Sequence, residues 1–162
     1  MNEKDLYPSM GKWLDGYLHE KYRNRKGVTS INVLDTSNII LDSALDSLGI
    51  LQQYSHIIGI EIKIDVLGVV QYGPYESKLF FIEAKKGRLN LQNVGQLLIY
   101  CLLCNPEEAF LFSSGSLGTL KDVFCTNSRK DILLYDRGAR NRRIKIAQWD
   151  TANECPDSFK EI

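Results

Sequence analysis

The chain has 162 residues, 44% of them hydrophobic and 25% charged, which suffices for one domain with an apolar core and no disulfide or metal staple. Twenty Lys and Arg balance twenty Asp and Glu; a polycation of the histone kind is excluded, whereas a local basic patch is not. No apolar run reaches the ~18 residues of a membrane span. The charged start, MNEKDLYPSM, is unlike a secretory signal, so the expectation is a single cytoplasmic domain over residues 1–162 with no membrane partner.

Leu6, Met10, Trp13, Leu14, Tyr17 and Leu18 recur at helical spacing and predict an amphipathic helix over residues 3–22. Pro8 falls in its first turns, where a missing N–H costs least. The basic stretch holding Lys21, Arg23, Arg25 and Lys26 reads as a turn, residues 28–34 as a strand and 39–51 as a second helix. From Ile57 the period changes to two: Ile58, Ile60, Ile62 and Ile64 alternate with Glu61, Lys63 and Asp65, which predicts a half-buried strand over 57–70. Gly73 and Pro74 mark a turn, and residues 78–85 read as the antiparallel return strand. Asn90 is a helix cap, and Pro106 blocks continuation beyond Asn105. The second half of that helix is apolar almost all round, so it should pack deep against the sheet.

Further on, residues 109–113 read as a buried strand and 118–127 as a short helix. Residues 131–136 and 143–149 look like a final pair of strands joined by a turn at Gly138 to Asn141. The fold class is therefore α/β, a mixed central sheet flanked by helices. Cys101 and Cys104 have the gap of a zinc knuckle, but Cys125 and Cys155 lie too far apart to complete one, and core packing is the better reading.

Three charged residues interrupt strands otherwise made of Ile, Val, Leu and Phe. Glu83 and Lys85 are two apart and project from one face of a strand, while Ala84 points into the opposite layer. Asp65 lies at the end of the neighbouring strand. A Glu-x-Lys pair on a solvated strand edge is commonplace, but ionised groups set among apolar strands are costly unless they pair or bind an ion. Two carboxylates and the Ala84 carbonyl offer hard oxygen ligands to Mg²⁺, and a lysine beside them can steady charge on a phosphate.

Ile64-Asp65, seventeen residues, then Glu83-Ala84-Lys85 resembles the signature of the PD-(D/E)XK nuclease superfamily. Gln96-Leu-Leu-Ile-Tyr100 on the following helix is similar to the Q-x-x-x-Y motif of its RecB-type branch. The likeness covers residues 57–136 in the superfamily's αβββαβ order, with isoleucine where the superfamily often has proline. It implies a restriction-endonuclease-like core and a Mg²⁺-dependent deoxyribonuclease, with Mn²⁺ able to substitute. Asp65, Glu83 and the Ala84 carbonyl would hold the metal, and Lys85 would assist the attacking water. Gln96 and Tyr100 would position Lys85 or the phosphate. A helical glutamate often adds a ligand, and Glu3 and Glu20 are the candidates. One such site cuts one strand, so cutting both implies a homodimer or a larger complex.

Residues 129–145 hold seven basic residues against Asp131 and Asp136, a local net charge of +5. Arg137, Arg140, Arg142 and Arg143 cluster at the turn, where they serve either a DNA backbone or solubility. The rival to catalysis is an inactive nuclease-fold module that binds nucleic acid or scaffolds other proteins.

Overall fold

Tyr7, Met10, Leu14, Leu18 and Tyr22 fall along one stripe of a 3.6-residue helix, and all five are buried. The computed structural model describes residues 1–162, the side chain of Phe159 excepted, and its first helix is α1 (Tyr7–Tyr22). A 3-10 turn, Glu3–Leu6, leads into it, and Pro8 sits in its first turn. The buried stripe packs on one face of a six-stranded sheet. Its strands are β1 (Ser30–Asp35), β2 (Val66–Gln71), β3 (Ser77–Lys85), β4 (Glu108–Ser113), β5 (Ile144–Asp150) and β6 (Cys155–Glu161), in that spatial order.

Strand alternation divides the core in two. Phe80, Ile82 and Ala84 of β3 join the α1 side with Phe110, Phe112 and Trp149. Leu79 and Phe81 face the other side, covered by α2 (Leu41–Ser47) and α3 (Leu91–Cys104). Gly68 of β2 is where α1 comes closest: a Cβ there would meet Leu18 at 2.9 Å, Leu14 at 3.0 Å and Phe80 Cβ at 3.1 Å. At the start of α3 the Asn90 side chain accepts the Asn93 N–H, and Asn93 returns the bond, both at 3.0 Å. At its far end Asn105 takes a left-handed conformation, φ 48°, before Pro106. Cys101 and Cys104 are buried in the α3-side core, where burial pushes the Cys104 thiol up to about 12.

β1, β2 and β3 form an antiparallel meander, β4 and β5 run parallel to β3, and β6 returns antiparallel at the edge. Both parallel crossovers lie on the α3 side: α3 itself, then a segment that buries Phe124 and Leu133. This is an α/β fold with a mixed sheet and flanking helices. Among the described residues no helix is long and apolar enough to cross a membrane.

Four sequence expectations need correction. The strand expected over 57–70 is laddered only from Val66; Ile58 and Ile60 are exposed, and residues 61–65 keep the alternation, with Ile62 and Ile64 buried, but make irregular bonds to Leu41 and Thr36. The helix expected over 39–51 stops at Ser47, where Gly49 (φ +72°) turns the chain into a 3-10 run, Leu51–Ile57. The short helix expected over 118–127 is present but shorter, over residues 120–126, and widens to π-helical turns at Asp122–Thr126. The pair expected over 131–136 and 143–149 is not a hairpin: Lys130–Leu133 is a 3-10 turn, a single bridge joins Leu134 to Arg143, and β5 pairs instead with β4 and β6.

Candidate functional site

The antiparallel register pairs Val66 with Ile82, which sets the preceding residue, Asp65, opposite Glu83. Asp65 Oδ2 accepts the Ala84 backbone N–H at 2.8 Å. From the other side the buried Thr36 holds the same stretch: its N–H donates to the Asp65 carbonyl at 3.0 Å, and its hydroxyl donates to the Ile64 carbonyl. Lys85 leaves the same face of β3 as Glu83 and donates to Glu83 Oε1 at 2.8 Å.

Glu83 is only 3% exposed, and its other oxygen, Oε2, is buried with no hydrogen-bond partner among the described residues. Burial, and then the Asp65 charge, pushes its carboxyl up to about 7, against the pull of Lys85. Asp65 is also raised, by burial, although the Ala84 N–H and Lys85 oppose the shift. Burial would lower Lys85, but Glu83, Asp65 and Glu3 outweigh it, so the ammonium holds its proton above the ordinary lysine range.

The N-terminal segment completes the cluster. Glu3 Oε1 lies 3.5 Å from Lys85 Nζ. Tyr7, buried at the start of α1, faces Asp65 with a hydroxyl that burial and that carboxylate keep protonated. Glu20 stands exposed on the last turns of α1, beside a hollow shared with Trp13, Tyr17 and Glu154, so of the two candidate extra carboxylates Glu3 is the one at this site. The sequence offered no signal for Tyr7, one tyrosine among many on an apolar helix face.

Among the described residues no three His, Cys, Asp or Glu side chains form a ready metal cage. What converges is more open: the orphan oxygen of Glu83, the Asp65 carboxylate and one ammonium. An unpartnered buried carboxylate oxygen beside a second carboxylate suits a hard cation, so the donor set fits Mg²⁺. The structure thus brings Asp65, Glu83, Ala84 and Lys85 together. Gln96 is exposed on α3, and Tyr100 packs half-buried against the α3-side core; among the described residues neither bonds to the other four.

The basic stretch is elsewhere and largely neutralised. Glu108, at the start of β4, pairs with Phe80, whereas Lys85 pairs with Ser113 at the strand's other end. Arg140 and Arg142 bind Glu107 at 2.9 and 3.1 Å, and Arg129 chelates Asp131 at 3.0 Å. Lys145, Lys21 and the Tyr17 hydroxyl donate to Glu108; burial would raise that carboxyl, but these bonds hold it below the usual range. Arg137 and Arg143 make no ion pair among the described residues. No protein-family model matches this chain, and neither does any curated protein or solved structure.

Proposed function

We propose that the chain is a metal-dependent nuclease of the PD-(D/E)XK type, hydrolysing phosphodiester bonds in DNA with Mg²⁺ as cofactor. The observation that carries this reading is Glu83 Oε2, an oxygen buried without a partner next to a second carboxylate. Leaving such a group bare costs about 1–3 kcal/mol, more if charged, and a cation removes that cost. The meander, the α3 crossover and the parallel β4 also agree with the element order that the resemblance implies.

In this reading Asp65 and Glu83 hold Mg²⁺, with the Ala84 carbonyl as a further oxygen donor. When bound, the cation supplies Lewis acidity toward the phosphate. The chain's own residues do the rest. The Ala84 N–H fixes the Asp65 carboxylate, and the Tyr7 hydroxyl stands beside it. Lys85, kept protonated by its acidic neighbours, donates to charge that builds on the phosphate oxygens. Gln96, exposed on α3, would contact the phosphate backbone in this reading.

The test is incubation with plasmid, linear duplex and single-stranded DNA in Mg²⁺, Mn²⁺ or EDTA, for wild type and Lys85→Ala. Metal-dependent products that fall by about 10²-fold or more in the variant are expected. DNA that is bound but never cut identifies the inactive module instead. Cleavage that survives Lys85→Ala or EDTA removes the assignment.

A further inference from the structure

Lys85, Ser113 and Gln148 stand in one row across β3, β4 and β5, because the parallel registers pair Lys85 with Ser113 and Ser113 with Gln148. Two strand spacings separate the ends of that row, roughly 10 Å. The loops that leave β3 and β4 here are stitched together by backbone. The Ser114 N–H donates to the Lys85 carbonyl at 3.0 Å, the Leu89 N–H to Ser116 at 3.0 Å, and the Ser114 hydroxyl to Lys86 at 3.1 Å. Two glycines allow it: a Cβ on Gly115 would lie 2.7 Å from the Gly87 carbonyl carbon, and one on Gly118 (φ +60°) 2.5 Å from the Leu89 oxygen.

Beside this floor is a hollow of about 380 Å³, lined by Arg88, Lys121 and Lys160 together with Ser116 and Gln148. No carboxylate among the described residues lines it. Among the described residues Arg88 and Lys121 make no ion pair or side-chain hydrogen bond, and Lys160 reaches only Asp157, at 3.5 Å. The contrast with the other end of the sheet is sharp, since Glu107 and Glu108 there take up most of the local cations. Unpaired cations around a concave, hydrogen-bonding floor are what a phosphate requires.

We infer that this hollow is a phosphate site for the polynucleotide strand, and it rests on the nuclease reading for that choice of anion. The Arg88 guanidinium offers a fork to two phosphate oxygens, Lys121 offers a point charge, and Ser116 and Gln148 offer neutral donors. Gln148, which lines the hollow, is two strand spacings from Lys85, so a phosphate gripped there would belong to a neighbouring part of the same strand. The hollow thereby fixes the direction in which a strand crosses the acidic cluster.

The test measures binding of a labelled single-stranded oligonucleotide in EDTA, where cleavage cannot interfere, over roughly 50–200 mM salt. Arg88→Gln with Lys121→Gln should reduce the slope of log K against log salt by about 1.4, or about 0.7 per contact on single strands. Lys121→Gln alone should lose about half of that with an unchanged melting temperature, which guards against misfolding at Arg88, whose side chain lies against Gly118. Inorganic pyrophosphate should compete with the oligonucleotide on wild type and not on the double variant. An unchanged slope overturns the site, even if the wild type cuts DNA. The expected slope loss in the variants of a protein whose wild type never cuts keeps the site and overturns the nuclease reading. Binding to anionic vesicles but not to oligonucleotide, abolished by the double variant, would assign the hollow to a lipid surface and overturn the strand site.

Discussion

Asp65 and Ala84 are joined by a 2.8 Å bond from a backbone N–H to a carboxylate, which ties the residue before β2 to the end of β3. The bond has two functions that mutation can separate. It satisfies a backbone donor in a well-packed strand, and it presents a negative charge to Glu83.

Asp65→Asn keeps an acceptor for Ala84 but removes the charge. The metal-free protein should melt at the same temperature or higher, because one of two repelling carboxylates is gone. Most of the rise in melting temperature with Mn²⁺ or Mg²⁺ should vanish with it. Asp65→Ala also strands the N–H and should cost a further 1–3 kcal/mol or so. A lowered melting temperature in the Asn variant with an intact metal response would make Asp65 a structural ion-pair partner.

Glu83 predicts a pH dependence. Its carboxyl ordinarily loses its proton near 4.5, and in the fold it does so at about 7. Between those values the unfolded chain has released the proton while the folded one retains it, so metal-free stability falls as pH rises through that window. The loss attributable to this group is on the order of 3 kcal/mol. Urea unfolding in EDTA from pH 4 to 8 should show it, and Glu83→Gln should flatten it. A Gln variant with the wild-type profile would transfer the effect to other groups.

Gly68→Ala tests how α1 is seated. The new methyl group would lie within 3.1 Å of two leucine ends and of Phe80 Cβ, and the last of these cannot swing away. A cost of about 1–3 kcal/mol is expected from chemical denaturation. No loss would show that α1 can lift off the sheet freely.

The arginines at the far end of the sheet should act mainly on stability. Arg142 bonds to the Asn105 and Pro106 carbonyls as well as to Glu107, with a side chain 15% exposed. Arg142→Ala should cost about 1–2 kcal/mol. Replacing Arg140, Arg142 and Arg143 together should reduce the salt slope of duplex binding by no more than about 0.9, one contact, since only Arg143 has a free charge. A loss near three contacts would show that Glu107 releases its partners to DNA.

Periodicity and punctuation made α1 and α3 legible. Met10, Leu14 and Leu18 share one stripe, and Asn90 and Pro106 bracket α3. The alternation through Ile62 and Ile64 predicts a laddered strand because period two reports an extended backbone and its burial, not whether a partner strand exists; here Thr36 and Leu41 supply the bonds. β6 went unseen because Cys155–Glu161 is polar and contains Pro156, a composition tolerated only on an edge. Ile132, Leu133 and Leu134 suggested a strand, yet Leu133 plugs the core from a 3-10 turn. In the acidic cluster, sequence spacing found Asp65, Glu83 and Lys85. Glu3, one of the two helical glutamates that the resemblance offers, and Tyr7, for which the sequence has no signal, arrive through tertiary docking of α1, which no local pattern encodes.

The contact between Glu3 and Lys85 spans the first turn of the chain and the third strand of the sheet. Contacts so distant in sequence carry a large loop-closure cost, and such contacts slow folding. The acidic cluster is therefore complete only when α1 has docked. During refolding, a signal from this cluster such as a metal-induced change at Tyr7 would time the arrival of the amino-terminal helix, not the formation of the β1–β3 meander.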